Sequence, residues 1–211
     1  MHITTRTATV LAAAVIGTAL VAGCSDDGSS SSMEGHSMGS AAAMESSSAP
    51  SADYAANVSD ADVMFATMMY PHHAQAVEMA DMVEGRTTNP DLTALAGEIA
   101  AAQKPEMDQF SAWLSQWGQP APSSDASSME GMDHGSGSGM MTAQDMESLM
   151  TASGPDFDRQ WLTMMIEHHR GAVTMAEKEI ADGENPDAVA LARTIVETQN
   201  EEIARMQQLL G

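Results

Sequence analysis

The chain has 211 residues, with 30 acidic side chains against 8 basic ones and a formal charge of −22. That balance argues against nucleic acid as a partner, since phosphate recognition needs a Lys/Arg surface. Aromatic residues make up only 4% while methionine reaches 20 residues, so the core of one ordinary domain must come largely from Met, Leu, Val, Ile and Ala.

Residues 1–23 read as a lipoprotein signal peptide. Arg6 supplies a basic start, and the apolar run from Ala8 to Leu20 is short for a membrane span. The run ends in Leu20-Val21-Ala22-Gly23-Cys24, which resembles a bacterial lipobox with cleavage before the cysteine. Cys24, the single cysteine of the chain, is then the lipidation site, which predicts export and anchoring to the outer face of the cell membrane. No disulfide can form within the chain, and Cys-based zinc sites are excluded. Residues 24–57 are Ser-, Ala- and Gly-rich and predict a flexible tether. Within it lie Met33, His36 and Met38, soft ligands that nothing in a polar segment needs for packing.

The first repeat starts at Ser59-Asp60, an N-cap with an acidic first turn. Phe65, Met68, Met69, His72, Ala76, Met79 and Val83 recur at helical spacing to about Glu84. Pro71 removes one backbone bond and predicts a kink before the histidines. Gly85 and the Thr-Thr pair end this helix. Asn89-Pro90-Asp91 then reads as N-cap, N1 proline and dipole-matched acid, opening a second helix to about Gln116.

The unit is written twice. Met68-Met69-Tyr70-Pro71-His72-His73 returns ninety-six residues later as Met164-Met165-Ile166-Glu167-His168-His169, and residues 62–114 laid over 158–210 share 20 identities in 53 positions. The cap returns as Asn185-Pro186-Asp187. An internal repeat of this length means one helical hairpin used twice. Between the copies, 118–141 is a Pro/Gly/Ser/Asp/Met linker carrying Met129, Met132, His134, Met140 and Met141, a second tract suited to auxiliary metal capture. Thr142 to Asp145 resembles a capping box and predicts a short helix over 142–152. The expected architecture over 58–211 is therefore all-α: a four-helix bundle of two repeated hairpins (58–117 and 155–211) plus one short extra helix.

The second helix of each hairpin carries polar residues where the period demands hydrophobes: Gln103 and Glu106 in the first, Gln199 and Glu202 in the second. A buried carboxylate needs a cation, a proton or hydrogen bonds, and the histidines of the preceding helix are the obvious partners. Adjacent residues on a helix diverge by about 100°, so one ring of each His pair is expected in the core and the other at the surface or behind it. His72 shares its stripe with Phe65, Met68 and Met79, and His73 lies nearer Met69 and Val77. A structural His–Glu hydrogen bond without metal explains the same residues, and methionines at this spacing are often simple core filler.

These paired M-(M)-x-P-H-H-x-x-A-x-x-M-A helices, each followed by I-x-x-x-Q-x-x-E, resemble a ferritin-like family long known only as a domain of unknown function, which includes CopM-type copper-binding proteins of bacterial envelopes. The resemblance covers about 58–116 and 155–210. It implies a ferritin-like helical bundle, export, and copper binding by Met and His. Carried over by position, its motif falls on Met68, Met69, His72, His73, Met79, Gln103 and Glu106, and on Met164, Met165, His168, His169, Met175, Gln199 and Glu202. Glu167 stands where proline is usual and sets another carboxylate beside His168.

Ligand chemistry narrows the metal. A ferritin-type di-iron centre wants four carboxylates and Glu-x-x-His pairs, whereas only Glu106 and Glu202 lie on inward stripes here. Thioethers with imidazoles favour Cu(I) over Cu(II), with another transition metal left open. The expected role is copper sequestration, resistance or transfer to an envelope copper-handling partner. The ligands are the methionines and histidines, with Glu106 and Glu202 completing ligation or orienting imidazoles. Gln103, Gln199 and Glu167 stand behind them. Two other classes remain open at this stage: a redox metal oxidase using the same residues, and a lipid-anchored interaction module without metal. Oligomeric state is not encoded legibly.

Overall fold

A computed structural model describes residues 57–124 and 138–211. The lipidation residue Cys24, the tether ligands Met33, His36 and Met38, and the linker ligands Met129, Met132 and His134 lie outside the described residues. Those described contain five helices: α1 (Asp60–Asp81), α2 (Pro90–Gln116), α3 (Ala143–Thr151), α4 (Gly154–Asp182) and α5 (Pro186–Leu210). None is long and apolar enough to cross a membrane.

The helix starts follow from local chemistry. Ser59 caps α1: its hydroxyl accepts from the Asp62 N–H at 3.3 Å, while the Asp62 carboxylate accepts the Ser59 N–H at 2.6 Å. Thr142 and Asp145 repeat this box at α3, at 3.2 and 2.9 Å. Asn89 and Asn185 each accept two backbone N–H groups at the starts of α2 and α5, with proline following. Such caps are each worth about 1 kcal/mol. α1 ends at Asp81, three residues before the expected Glu84, and the chain turns through Gly85 at φ +73°. Pro71 lies inside α1 without ending it, and Pro105 likewise lies inside α2. Each proline gives up one ladder bond.

α1 packs on α2 and α4 on α5, and the two hairpins meet mainly through α1 and α4. This is the four-helix bundle that the duplication implies. Its core divides into two apolar clusters. One gathers Ala76, Met79, Leu92, Leu95, Ile99, Phe157, Trp161, Met165, Ile203 and Met206, with Met146 and Leu149 of α3 added. The other gathers Phe65, Met69, Phe110, Trp113, Ala172, Ala176, Ala188, Ala192 and Ile195. Each cluster therefore takes opposite halves of α1 and α4, so these helices run antiparallel. Both clusters draw on all four bundle helices, so neither hairpin holds a core alone. Burying each large side chain contributes about 1.5–3 kcal/mol. The positions between the clusters are 72–73 on α1, 103–106 on α2, 168–169 on α4 and 199–202 on α5: the anomalous polar residues of the sequence.

Candidate metal centre

The polar layer holds four histidines, two glutamates and two glutamines, arranged in duplicate. His73 Nε2 bonds Glu106 Oε2 at 2.6 Å, and its equivalent His169 bonds Glu202 at 2.8 Å. His72 and His168, also equivalents, meet ring to ring across the α1–α4 contact, with centroids 3.7 Å apart and planes inclined at 37°. A pseudo-twofold axis thus passes between these two rings. All four imidazoles are buried, His73 and His169 at 0% exposure. Of the two places expected for the second ring of each pair, at the surface or behind the first, the surface is thereby excluded. The two rings of a pair do diverge, but each finds an interior: one meets the facing hairpin, the other the carboxylate of its own.

The carboxylates fix the tautomers. A carboxylate oxygen accepts, so Nε2–H of His73 and of His169 donates to it, and in the neutral imidazole this leaves the lone pair on Nδ1. Both of those Nδ1 atoms are buried without a hydrogen-bond partner, as are both ring nitrogens of His168 and the amide oxygens of Gln103 and Gln199. Unsatisfied buried polar atoms are costly and uncommon, and here six of them fall in one layer. Burial, then the neighbouring His73, pushes the His72 pKa down to about 3. Burial, and then the cost of placing a second positive ring against His72, hold His168 well below the ordinary range. At neutral pH these two rings are uncharged and basic in the Lewis sense.

The thioethers lie on either side. Met69 and Met165 are fully buried, one in each cluster, and Met164 is buried at 9% exposure. Met68 is half-buried beside the layer. Met79 and Met175 sit farther along their helices within or against the apolar clusters, where Met79 O also accepts from Trp161 Nε1 at 2.8 Å. Glu167 is exposed and pairs with Arg170 at 3.1 Å, facing away from His168. Among the described residues no group of three or more His, Cys, Asp or Glu side chains is spaced to hold a metal ion on its own.

Three further features escape a reading by periodicity. Residues 138–141 are not a free linker: Ser138 O accepts from His72 Nε2–H at 2.9 Å, and Gln75 bonds the Met141 backbone twice, at 2.7 and 3.0 Å. A glycine inside α4, at Gly171, is the signal that marks this crossing, because Gly weakens a helix interior. The second feature lies at the far end of the bundle. Asp62 is fully buried and accepts the backbone N–H groups of Glu184 (3.2 Å) and Asn185 (2.9 Å), tying α1 to the α4–α5 turn. Third, burial and the adjacent Asp62 push Glu179 up to about 8. Burial alone would raise Asp62 too, but its bonds from the Ser59 backbone and hydroxyl and from the Asn185 backbone outweigh that and hold it low. The repeat alignment could have exposed Glu179, which replaces Val83 of the first copy.

Fold and layer together define a class: a bundle of two duplicated hairpins with histidines, carboxylates and amides buried at mid-height. The chain matches the family described as a domain of unknown function (DUF305) over residues 62–210, and it belongs to that family. It is similar to a putative secreted DUF305 protein from Streptomyces coelicolor, with 39% identity and a TM-score of 0.64, covering 71% of this chain and 91% of that one. A DUF305 fragment from Deinococcus radiodurans is 33% identical with a TM-score of 0.65, covering 74% and 98%. CopM in its Cu(II)-bound form is 34% identical with a TM-score of 0.60, covering 71% and 95%, and CopM has also been solved with Cu(I) and with Ag. Metal binding is thus a property found within the family. No curated protein matches the chain.

Proposed function

We propose that this protein binds copper, preferentially Cu(I), in the mid-bundle layer, as an exported, Cys24-anchored protein of the cell envelope that sequesters the ion or passes it on. The observation that carries the reading is the set of partnerless, buried imidazole nitrogens on His73, His168 and His169. Evolution tolerates such atoms where a ligand satisfies them. The donor set fits the cargo: neutral imidazoles, with Met68, Met69, Met164 and Met165 alongside, are soft ligands that suit Cu(I). Glu106 and Glu202 act by holding Nε2–H, so that Nδ1 of His73 and His169 presents its lone pair, as carboxylates behind metal-bound histidines commonly do. Gln103 and Gln199 add amide oxygens to the same layer. The tracts with Met33, His36 and Met38, and with Met129, Met132, His134, Met140 and Met141, would gather the ion at the membrane face for the bundle or for an envelope partner. CopM, a relative solved with copper and silver, supports the same assignment.

An anaerobic Cu(I) titration of the purified protein against a chromogenic competitor tests this. Tight binding lost in a His73→Ala/His169→Ala variant, and kept when Met129, Met132 and His134 are replaced by Ser, supports the layer as the site. Loss only in the tract variant would make the bundle a scaffold, and binding no better than a Met peptide would refute copper altogether.

A further inference from the structure

We infer that residues 138–141 form a strap that gates metal entry to the histidine layer, with Gln75 as its latch and Gly171 as its seat. The inference rests on the copper reading of that layer. Helices wall the layer on its sides, with α2 and α5 bringing Glu106 and Glu202 to His73 and His169. Over His72 and His168, at the α1–α4 seam, the covering element is this non-helical strap.

The strap touches both helices at the histidines. Ser138 O takes the proton of His72 Nε2 at 2.9 Å. Gly139, at φ +68°, lies so close to α4 that a Cβ would stand 2.4 Å from Glu167 O and 3.1 Å from the His168 Cα. A Cβ on Gly171 would stand 1.9 Å from Ser138 O, so no other residue admits the strap there. On the α1 side, Gln75 donates to Met141 O at 3.0 Å and accepts from Met141 N at 2.7 Å. Position 75 is the repeat equivalent of position 171. Both copies of one helix position thus serve the same crossing, one by gripping it and the other by making room.

Opening the strap breaks three hydrogen bonds and leaves both apolar clusters closed, apart from the Met141 side chain that packs against one of them. Parting the helices would disrupt the whole core, so the strap is the cheaper door. The same motion frees His72: closed, its Nε2–H is committed to Ser138 and Nδ1 holds the lone pair, whereas open, either nitrogen can meet an arriving ion. Met140 and Met141 lie on the strap itself, half-buried, which puts two thioethers at the entrance.

The test compares Ag(I), a redox-inert soft monocation, on wild type, Gln75→Ala and Gly171→Ala by stopped flow, with amide exchange at Met141 as the report of strap opening. Removing the two Gln75 bonds should raise the open population about tenfold, so uptake and release both quicken about tenfold while the dissociation constant changes far less. Faster Met141 exchange in Gly171→Ala, which keeps both Gln75 bonds, with unchanged uptake rates would overturn the gate, as would unchanged exchange in both variants. The His73→Ala/His169→Ala protein separates the two claims. If it binds Ag(I) as tightly as wild type, the layer is not the site and the gate falls with it. If binding depends on those histidines and the rates alone fail to respond, only the gate is refuted.

Discussion

Replacing His168 by leucine should stabilise the metal-free protein while weakening metal binding. The ring is 1% exposed and neither nitrogen has a hydrogen-bond partner. A buried polar group left unsatisfied costs about 1–3 kcal/mol, and leucine is of similar size with no polar atom. Against that gain stands the lost contact with the His72 ring, 3.7 Å away, for which about 0.5–1.5 kcal/mol is a fair scale. The net expectation is a gain of about 1 kcal/mol at pH 7. With a urea m-value of about 2 kcal/mol/M for a domain of this size, the unfolding midpoint should rise by about 0.5 M. The gain should grow on acidification, because an imidazole whose pKa falls on folding takes up its proton more readily in the unfolded chain. Wild type therefore loses stability as pH drops below about 6.5, and the variant should lose less. Urea titrations of metal-free wild type and variant at pH 7 and pH 5 decide it. A midpoint that falls at pH 7 would show that the ring is satisfied in the apo state, and would remove the main physical ground for a ligand in the layer.

At the neighbouring pair, Glu202→Ala should cost about 1.5–3 kcal/mol, as a hydrogen bond to a charged group does, and Glu202→Gln clearly less, since an acceptor oxygen remains. Metal affinity should drop about 10–100-fold in the alanine variant, and a double-mutant cycle with His169→Ala that returns no coupling would contradict the pairing. For Glu179, the folded pKa of about 8 exceeds the unfolded value, so its contribution is fully present at acid pH and is lost as pH rises toward 8. The slope is at most about 1.4 kcal/mol per unit. Thermal melts of Glu179→Gln from pH 6 to 9 should show a flatter profile than wild type, and an unchanged profile would place the proton elsewhere. Asn185→Ala should cost about 1–2 kcal/mol and more than Asn89→Ala, because Asn185 is 5% exposed and its own N–H is held by Asp62; equal urea midpoints for the two would deny that difference.

Much of this architecture is legible in the chain because local and global signals agree. The four capped helix starts and the short extra helix are written in residues that act within four positions of themselves, and the hairpin repeat in a match at one fixed offset. The Gln/Glu anomaly marked the polar layer because burial violates the apolar period, and the partners of Glu106 and Glu202 could be named by element. The fate of the second ring in each His pair was not legible. Helical periodicity measures one face at a time, whereas each α1 and α4 residue here faces two neighbours. The strap escaped for a different reason. Its bonds join residues 66 positions apart, and a Ser-Gly-Met run carries no periodicity that could announce a docking site.

The twofold relation between the hairpins carries a cost for anything that must lie on the axis. A single strand crossing between His72 and His168 has direction, so it cannot obey the symmetry of the site it covers. Two identical chains meeting at such an axis would each need the same residue at the crossing, and that residue could not be both a long amide and a bare hydrogen. Joining the two halves in one polypeptide removes the constraint. Position 75 is then free to become glutamine while position 171 becomes glycine, and a symmetric site gains a front door without gaining a back one.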